Sequence, residues 1–383
     1  VLPHVEAICR AHVARVCGLD PGTAGGLCLF ATEGASAGVC YVLRTLLVNG
    51  VLAHGDRVAV VVPVFTPYLE LPGPDALGLE LVPLRAEAGR GWQLPDAEVD
   101  KLRDAGVRLL VAVNPGNPTS VALDPATVDR IGRLVETQRR DLLILSDDVY
   151  GPLAPGYASL VSRMPRNTIV VYSFSKFFGA TGWRLGVIAM ARDHAADALL
   201  AARPEREKAR AAARYAPISE APETLSFMSR MVAESREIAF HHTAGLSTPQ
   251  QAQMALLALG DLTDAAGAYR SRVQALLQAR RAALWRGLGA PVPGMAWSVP
   301  YYETLDLAAL VRSRDGDAAA ARFVSTHAPL EPVVSLARTR GVVVLPGSGF
   351  GAPPWTIRVS LANLSEADFE GIGRAIRDAL AEL

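Results

Sequence analysis

Lys176 is one of three lysines in the 383 residues, with Lys101 and Lys208, in a chain that draws its positive charge almost wholly from arginine. It lies in Tyr172-Ser173-Phe174-Ser175-Lys176-Phe177-Phe178-Gly179-Ala180-Thr181-Gly182-Trp183-Arg184-Leu185-Gly186, directly after the apolar run Thr168 to Val171. An isolated lysine is ordinarily a solvated surface group. An amine held at the end of a buried strand, however, can lose its proton through desolvation and form a Schiff base, which arginine cannot do. Glycines at 179, 182 and 186 let the backbone turn there and approach a ligand closely. This setting points to pyridoxal phosphate as the carbonyl partner. Asp147, in Asp147-Asp148-Val149-Tyr150-Gly151, follows a second apolar run. By itself it reads as an Asp-rich turn. With Lys176 downstream it becomes a carboxylate able to keep a pyridinium nitrogen protonated, so that the ring is a better electron sink, and Tyr150 becomes a donor to the ring's phenolic oxygen.

The segment around Lys176 resembles the lysine signature of the aspartate aminotransferase superfamily, the fold-type-I pyridoxal phosphate enzymes. The resemblance implies that Ser173 and Arg184 bind the cofactor phosphate. Gly34-Ala35-Ser36 opens a helix whose free amides and positive dipole end form a phosphate cradle, and the resemblance adds Ala35 and Ser36 to that role. Asn114-Pro115-Gly116-Asn117-Pro118-Thr119 reads as ordinary turn chemistry, yet closely resembles the superfamily's Asn-Pro-x-Asn-Pro-Thr-Gly motif, with Ser120 where Gly is usual. There Asn117 is implied to contact the phenolic oxygen and to take part in substrate binding. Tyr68, in Phe65-Thr66-Pro67-Tyr68, stands where the superfamily places the aromatic that stacks on the ring. Arg358, in Trp355-Thr356-Ile357-Arg358-Val359-Ser360-Leu361, matches the arginine that grips the substrate α-carboxylate, a task suited to its planar fork. The implied substrate is an amino acid.

Four stretches narrow the resemblance to the aspartate 4-decarboxylases: Phe65 to Glu70, Tyr172 to Arg184, His242 to Gln251 and Arg358 to Leu364. The resemblance implies removal of carbon dioxide from aspartate to give alanine, with transamination as a side activity. Lys176, displaced by the substrate amine, would take the α-proton as general base. It further implies an N-terminal region that has no counterpart before Val1, so that recognition of the β-carboxylate comes from elsewhere if the chain is complete. A plain aminotransferase would use the same residues. A non-catalytic regulator of this fold would need an appended DNA-binding segment or a lost lysine, and the sequence shows neither. Superfamily sites usually form between subunits, which implies a homodimer or larger homo-oligomer. His242 to Gln251 is the candidate to reach a neighbour's cofactor phosphate, and Ser247-Thr248-Pro249 also reads as a capped helix start.

Formal net charge is zero and half of the residues are hydrophobic. A large core is therefore available, and a nucleic-acid partner has little electrostatic support. No apolar run reaches the roughly 18 residues of a membrane span, the start does not resemble a secretory signal, and a cytoplasmic protein is expected. Cys9, Cys17, Cys28 and Cys40 contain no C-x-x-C pair. No metal site is expected, and Cys28 and Cys40 suit small buried hydrophobes.

The elements that must position these residues alternate in type. Helices are predicted over Ala35 to Val48 and Pro125 to Thr137. Apolar strands are predicted over Arg57 to Val62, Leu79 to Pro83, Arg108 to Val113, Leu142 to Ser146, Thr168 to Tyr172 and Arg184 to Met190, as in a mainly parallel sheet covered by helices on both faces. Beyond about residue 265 come a long helix, Tyr269 to Leu288, then strands within Trp297 to Leu307, Gly341 to Leu345 and Trp355 to Leu361, and a last helix from Ser365. The fold class is α/β: a large cofactor-binding domain over 27–265, a small α+β domain over 266–383, and an N-terminal segment, 1–26, packing with the small domain or with a partner subunit.

Overall fold

The computed structural model describes residues 1–73, 75–238 and 245–382. The described residues form ten strands: β1 Leu27–Thr32, β2 Arg57–Val62, β3 Glu80–Arg85, β4 Val107–Val113, β5 Leu143–Asp147, β6 Thr168–Ser173, β7 Gly186–Ala191, β8 Tyr302–Asp306, β9 Leu345–Pro346 and β10 Thr356–Ser360. The first seven form one sheet in the order β1-β7-β6-β5-β4-β2-β3, and the last three a second sheet in the order β8-β10-β9. From β3 to β6 every pairing is parallel, whereas β7 runs antiparallel to both β6 and β1.

This arrangement brings the chemistry to one edge. The C-terminal ends of β2, β4, β5 and β6 all point the same way, and so does the end of β1, because two antiparallel steps restore its direction. Only β7 enters the sheet at that edge. The turns holding Gly34, Tyr68, Asn117, Asp147 and Lys176 leave the edge, and Arg184 arrives at it. Ligands sit at such strand ends in open α/β sheets.

Covered faces explain the continuous apolar runs. Every residue of β5, β6 and β7 is buried. On one face Val60, Val111, Leu145, Val171 and Ile188 pack under the helix Ala35–Val48. On the other, Leu110, Ala112 and Ile144 meet Val128, Ile131 and Leu134 of the helix Pro125–Thr137. Each such side chain contributes about 1.5–3 kcal/mol on burial. The helix Pro125–Thr137 starts where Asp124 accepts the Thr127 amide at 2.7 Å with Pro125 at its first position, a cap that satisfies an otherwise orphaned donor.

The predicted helices over 35–48 and 125–137 and the strand over 57–62 have the bounds observed, and the other large-sheet strands shift by a residue or two. The edge strand β1 and the helices between β7 and residue 238 were not foreseen. In the C-terminal part, β8 is shorter than the span Trp297 to Leu307. Trp297 sits at φ +60°, its carbonyl accepting the Ala122 amide, so the first residues of that span brace the 116–122 turn instead of extending the strand. The helix Ala268–Leu288 packs on the final helix, Glu366–Glu382.

The N-terminal segment packs against the seven-stranded sheet. Its helix Pro3–Val16 packs on the helix Thr248–Thr263 and on the face of the large sheet formed by β1, β6 and β7. There His12, fully buried, lies 3.1 Å through Nδ1 from Asp261 and 3.2 Å through Nε2 from the Tyr172 hydroxyl. Burial holds the His12 imidazole below its ordinary pKa, against the pull of Asp261. The cysteines also depart from expectation: Cys9 and Cys17 are the buried pair, while Cys28 and Cys40 are half-buried. Among the described residues no cluster of three metal-ligating side chains occurs, and no helix is long and apolar enough to cross a membrane.

Candidate active site

Lys176 follows β6 at the strand-end edge, in a cleft of about 290 Å³ that it shares with Ala35, Ser36, Tyr68, Asn117, Asp147, Tyr150, Ser173, Arg184 and Arg358. Gly34, at the wall of this cleft, takes φ +89°, and a Cβ there would collide with the Arg184 guanidinium. Only glycine lets that cation lie against the start of the helix Ala35–Val48, where anions are favoured. Arg184 is itself left-handed, at φ +54°, and donates to the Thr181 carbonyl at 3.1 Å and the Glu33 carbonyl at 3.3 Å. The Ser173 hydroxyl accepts the Ser175 amide at 3.1 Å and lies 2.8 Å from the Ser175 hydroxyl. Backbone donors, two hydroxyls and a guanidinium therefore converge on one corner.

Asp147 ends β5, 6% exposed. The Tyr68 hydroxyl donates to its Oδ2 at 2.5 Å and the Val149 amide to its Oδ1 at 3.1 Å. Burial raises the carboxyl to about 6, while these two donors and the Lys176 charge pull it down. Asp148 is also raised to about 6 by burial, with Ser146 and Ser159 opposing. It faces away from the cleft, toward Ser146 and, at 3.6 Å, the Cys17 thiol. Tyr68 lines the cleft, and its bond to Asp147 was not foreseen.

Arg358 sits in mid β10 with its Nη1 donating to Asn117 Oδ1 at 2.8 Å. Its guanidinium carbon lies 4.3 Å from the centre of the Tyr302 ring and 4.7 Å from that of Phe350. Its buried Nε has no hydrogen-bond partner among the described residues. Tyr150 donates its hydroxyl to that of Tyr302 at 3.0 Å, and the Lys176 ammonium lies 5.6 Å from the Tyr301 ring centre. Sequence reasoning missed Phe65, Ser175, Thr181, Tyr301 and Tyr302. The Tyr301-Tyr302 pair, at the start of a strand, was the signal available.

The segment His242 to Gln251 is placed in part: His242 to Ala244 lie outside the described residues. From Gly245 on, the Gly245 amide donates to Glu33 at 2.6 Å and the Gln250 side chain to the Trp183 carbonyl at 3.3 Å. Ser247 and Gln250 form a capping box at the start of the helix Thr248–Thr263, as the capped helix start predicted.

The residues present fit pyridoxal phosphate. Asp147 keeps unused lone pairs for a ring N–H, the cradle at Gly34 offers donors to a dianion, and Lys176 and Arg358 line the same cleft. Sequence comparison agrees with this class of site. Residues 34–376 match the family described as aminotransferase class I and II, and the chain belongs to that family of pyridoxal 5′-phosphate enzymes.

Within it, a bifunctional aspartate aminotransferase and L-aspartate beta-decarboxylase from a Pseudomonas species is 44% identical over 378 residues, spanning 99% of this chain and 71% of that protein. A probable aspartate/prephenate aminotransferase of Aquifex aeolicus is 26% identical over 359 residues, 91% of this chain and 75% of its own length. An alanine aminotransferase structure from Pyrococcus furiosus matches at a TM-score of 0.71 and 19% identity, covering 100% of this chain and 82% of the other, a likeness of fold.

Proposed function

We propose that this enzyme removes the 4-carboxylate of L-aspartate to give L-alanine, with transamination of aspartate as its side reaction. The observation that carries the reading is the match along nearly the whole chain to the bifunctional Pseudomonas enzyme, joined to a cleft that pairs an amine at 176 with a guanidinium at 358.

Pyridoxal phosphate, when bound, supplies an aldehyde that condenses with amines and a ring that accepts the electrons of bonds broken beside the amine. In this reading Arg184, Ser173 and the amides of Ala35 and Ser36, turned in by Gly34, hold its phosphate. Asp147 is the acceptor for the ring N–H, and Tyr68 both fixes that carboxylate and offers its ring as a platform. Tyr150 and Asn117 face the phenolic oxygen. Arg358, oriented by Asn117, holds the substrate α-carboxylate through a planar fork, which fixes the α-carbon proton toward Lys176. The Lys176 amine takes that proton and returns it.

The roles of Lys176, Tyr68 and Asp147 in catalysis, and the division into 27–265 and 266–383, belong to the same proposal. So does a homodimer with shared sites, supported by Phe65, 36% exposed at the cleft, and by Trp183, 57% exposed next to Arg184 in sequence. The free thiols of Cys9 and Cys17 suit a reducing compartment such as the cytoplasm.

The test is incubation of the cofactor-loaded protein with L-aspartate alone, following carbon dioxide and the ratio of alanine to oxaloacetate. Sustained carbon dioxide release with alanine supports the proposal. Conversion of the cofactor to its amine form without carbon dioxide establishes a plain aminotransferase, and no reaction moves the search to another amino acid.

A further inference from the structure

Tyr302 touches both ends of the cleft. Its hydroxyl accepts from Tyr150 at 3.0 Å, and its ring lies under the Arg358 guanidinium at 4.3 Å. Its own backbone is pinned by a residue of the turn that follows β4: the Tyr302 amide donates to the Ser120 hydroxyl at 2.9 Å. Ser120 is a buried non-glycine residue held at φ +54°, a left-handed conformation that strains an L-residue. A glycine would avoid that strain but would lose the hydroxyl. The same turn is laced to β8 twice more, by the Val299 amide on the Ser120 carbonyl at 2.6 Å and the Thr304 hydroxyl on the Pro118 carbonyl at 2.8 Å.

We infer that Tyr302, anchored by Ser120, is the positioning residue that couples the carboxylate grip to the cofactor's phenolic side. The inference rests on the function proposed above. The orphaned Nε of Arg358 means that hydrogen bonds alone do not fix the guanidinium plane. Asn117 holds one amino group, and the rings of Tyr302 and Phe350 hold the plane. Rings stacked on a desolvated guanidinium supply that restraint without competing for the N–H groups a carboxylate needs. The Tyr302 hydroxyl takes the Tyr150 proton along one direction, so a shift of Tyr302 toward or away from Arg358 is felt at Tyr150.

Three variants separate these roles: Tyr302→Phe, Tyr302→Leu and Ser120→Gly. Two readouts need no turnover, the dissociation constant of succinate as a dead-end dicarboxylate and the pH titration of the bound cofactor's absorbance. Tyr302→Leu weakens succinate by about tenfold. Tyr302→Phe leaves succinate binding within a factor of about two, because the ring remains, and shifts the midpoint of the absorbance titration by about half a pH unit as Tyr150 loses its acceptor. Ser120→Gly weakens succinate less than Tyr302→Leu and leaves thermal stability near that of the parent. If the parent binds cofactor and succinate and all three variants match it in both readouts, the coupling is overturned while the proposed function stands. If Tyr302→Phe and Tyr302→Leu lose succinate binding equally, the ring contact is overturned. A parent that takes up no cofactor or no succinate sinks the function itself.

Discussion

The two halves of the cleft are built by different means. The cofactor half lies along the edge of the seven-stranded sheet, where Asp147, Ser173 and Arg184 are set by strand register: Asp147 pairs with Val113 and Val171, and Gly186 stands between Thr32 and Ser173. The half proposed to take the substrate hangs on the three-stranded sheet, where Arg358 is held by one amide oxygen and two aromatic rings. Register is shared by every strand of a sheet and is hard to change locally. Ring packing belongs to a few side chains. The first half is thus suited to a fixed cofactor, and the second can be retuned for a new substrate at small cost to the fold.

The sharpest break between the halves comes at Lys176. Lys176→Ala lowers turnover by about four orders of magnitude, while equilibrium dialysis still finds cofactor retained by the phosphate cradle. Asp147→Asn comes next, with turnover down about two to three orders and the cofactor more readily lost on dilution, since it strikes the cofactor half. Arg358→Lys keeps the charge and removes the fork. It raises KM for aspartate by about ten- to a hundredfold, with cofactor absorbance unaltered, and a loss of cofactor from this variant would show that the halves are not separable.

The smallest effect is one of pH. Burial sets the Asp147 carboxyl near 6 in the cofactor-free chain, so it is charged above that value and neutral below. Cofactor affinity, measured by fluorescence titration, falls about tenfold per pH unit below 6, and Asp147→Asn removes that dependence. The folding sign is opposite. A carboxyl raised above its unfolded value of about 3.9 adds stability to the cofactor-free protein that is full below pH 4 and lost as the pH rises through 6.

What the sequence made legible follows the same division. Continuous apolar runs marked β4, β5, β6 and β7 because both faces of the sheet are covered, and the residues just past those runs were the ones that could do chemistry. β1 escaped notice, lying at an edge, its pairing with β7 set by residues far away in sequence. The helices after β7 were obscured by composition: Glu205–Tyr215 is almost all polar or alanine and buries only Tyr215, so it offers no row of large apolar residues to mark a buried face. In the substrate half, Arg358 was found through its neighbours in sequence. Tyr301, Tyr302 and Phe350 were not, because ring contacts across two sheets leave no spacing rule.

His12 carries a consequence for anyone handling this protein. The imidazole joins the first helix to Tyr172 and to Asp261, and Tyr172 is the residue immediately before Ser173, on the strand that delivers Lys176. The opening turns of the chain are therefore part of the active site's foundation although none of them reaches the cleft. A chain trimmed past His12, or a bulky fusion that prises this helix loose, would be expected to show itself first as a faint or drifting cofactor colour, well before the protein precipitates.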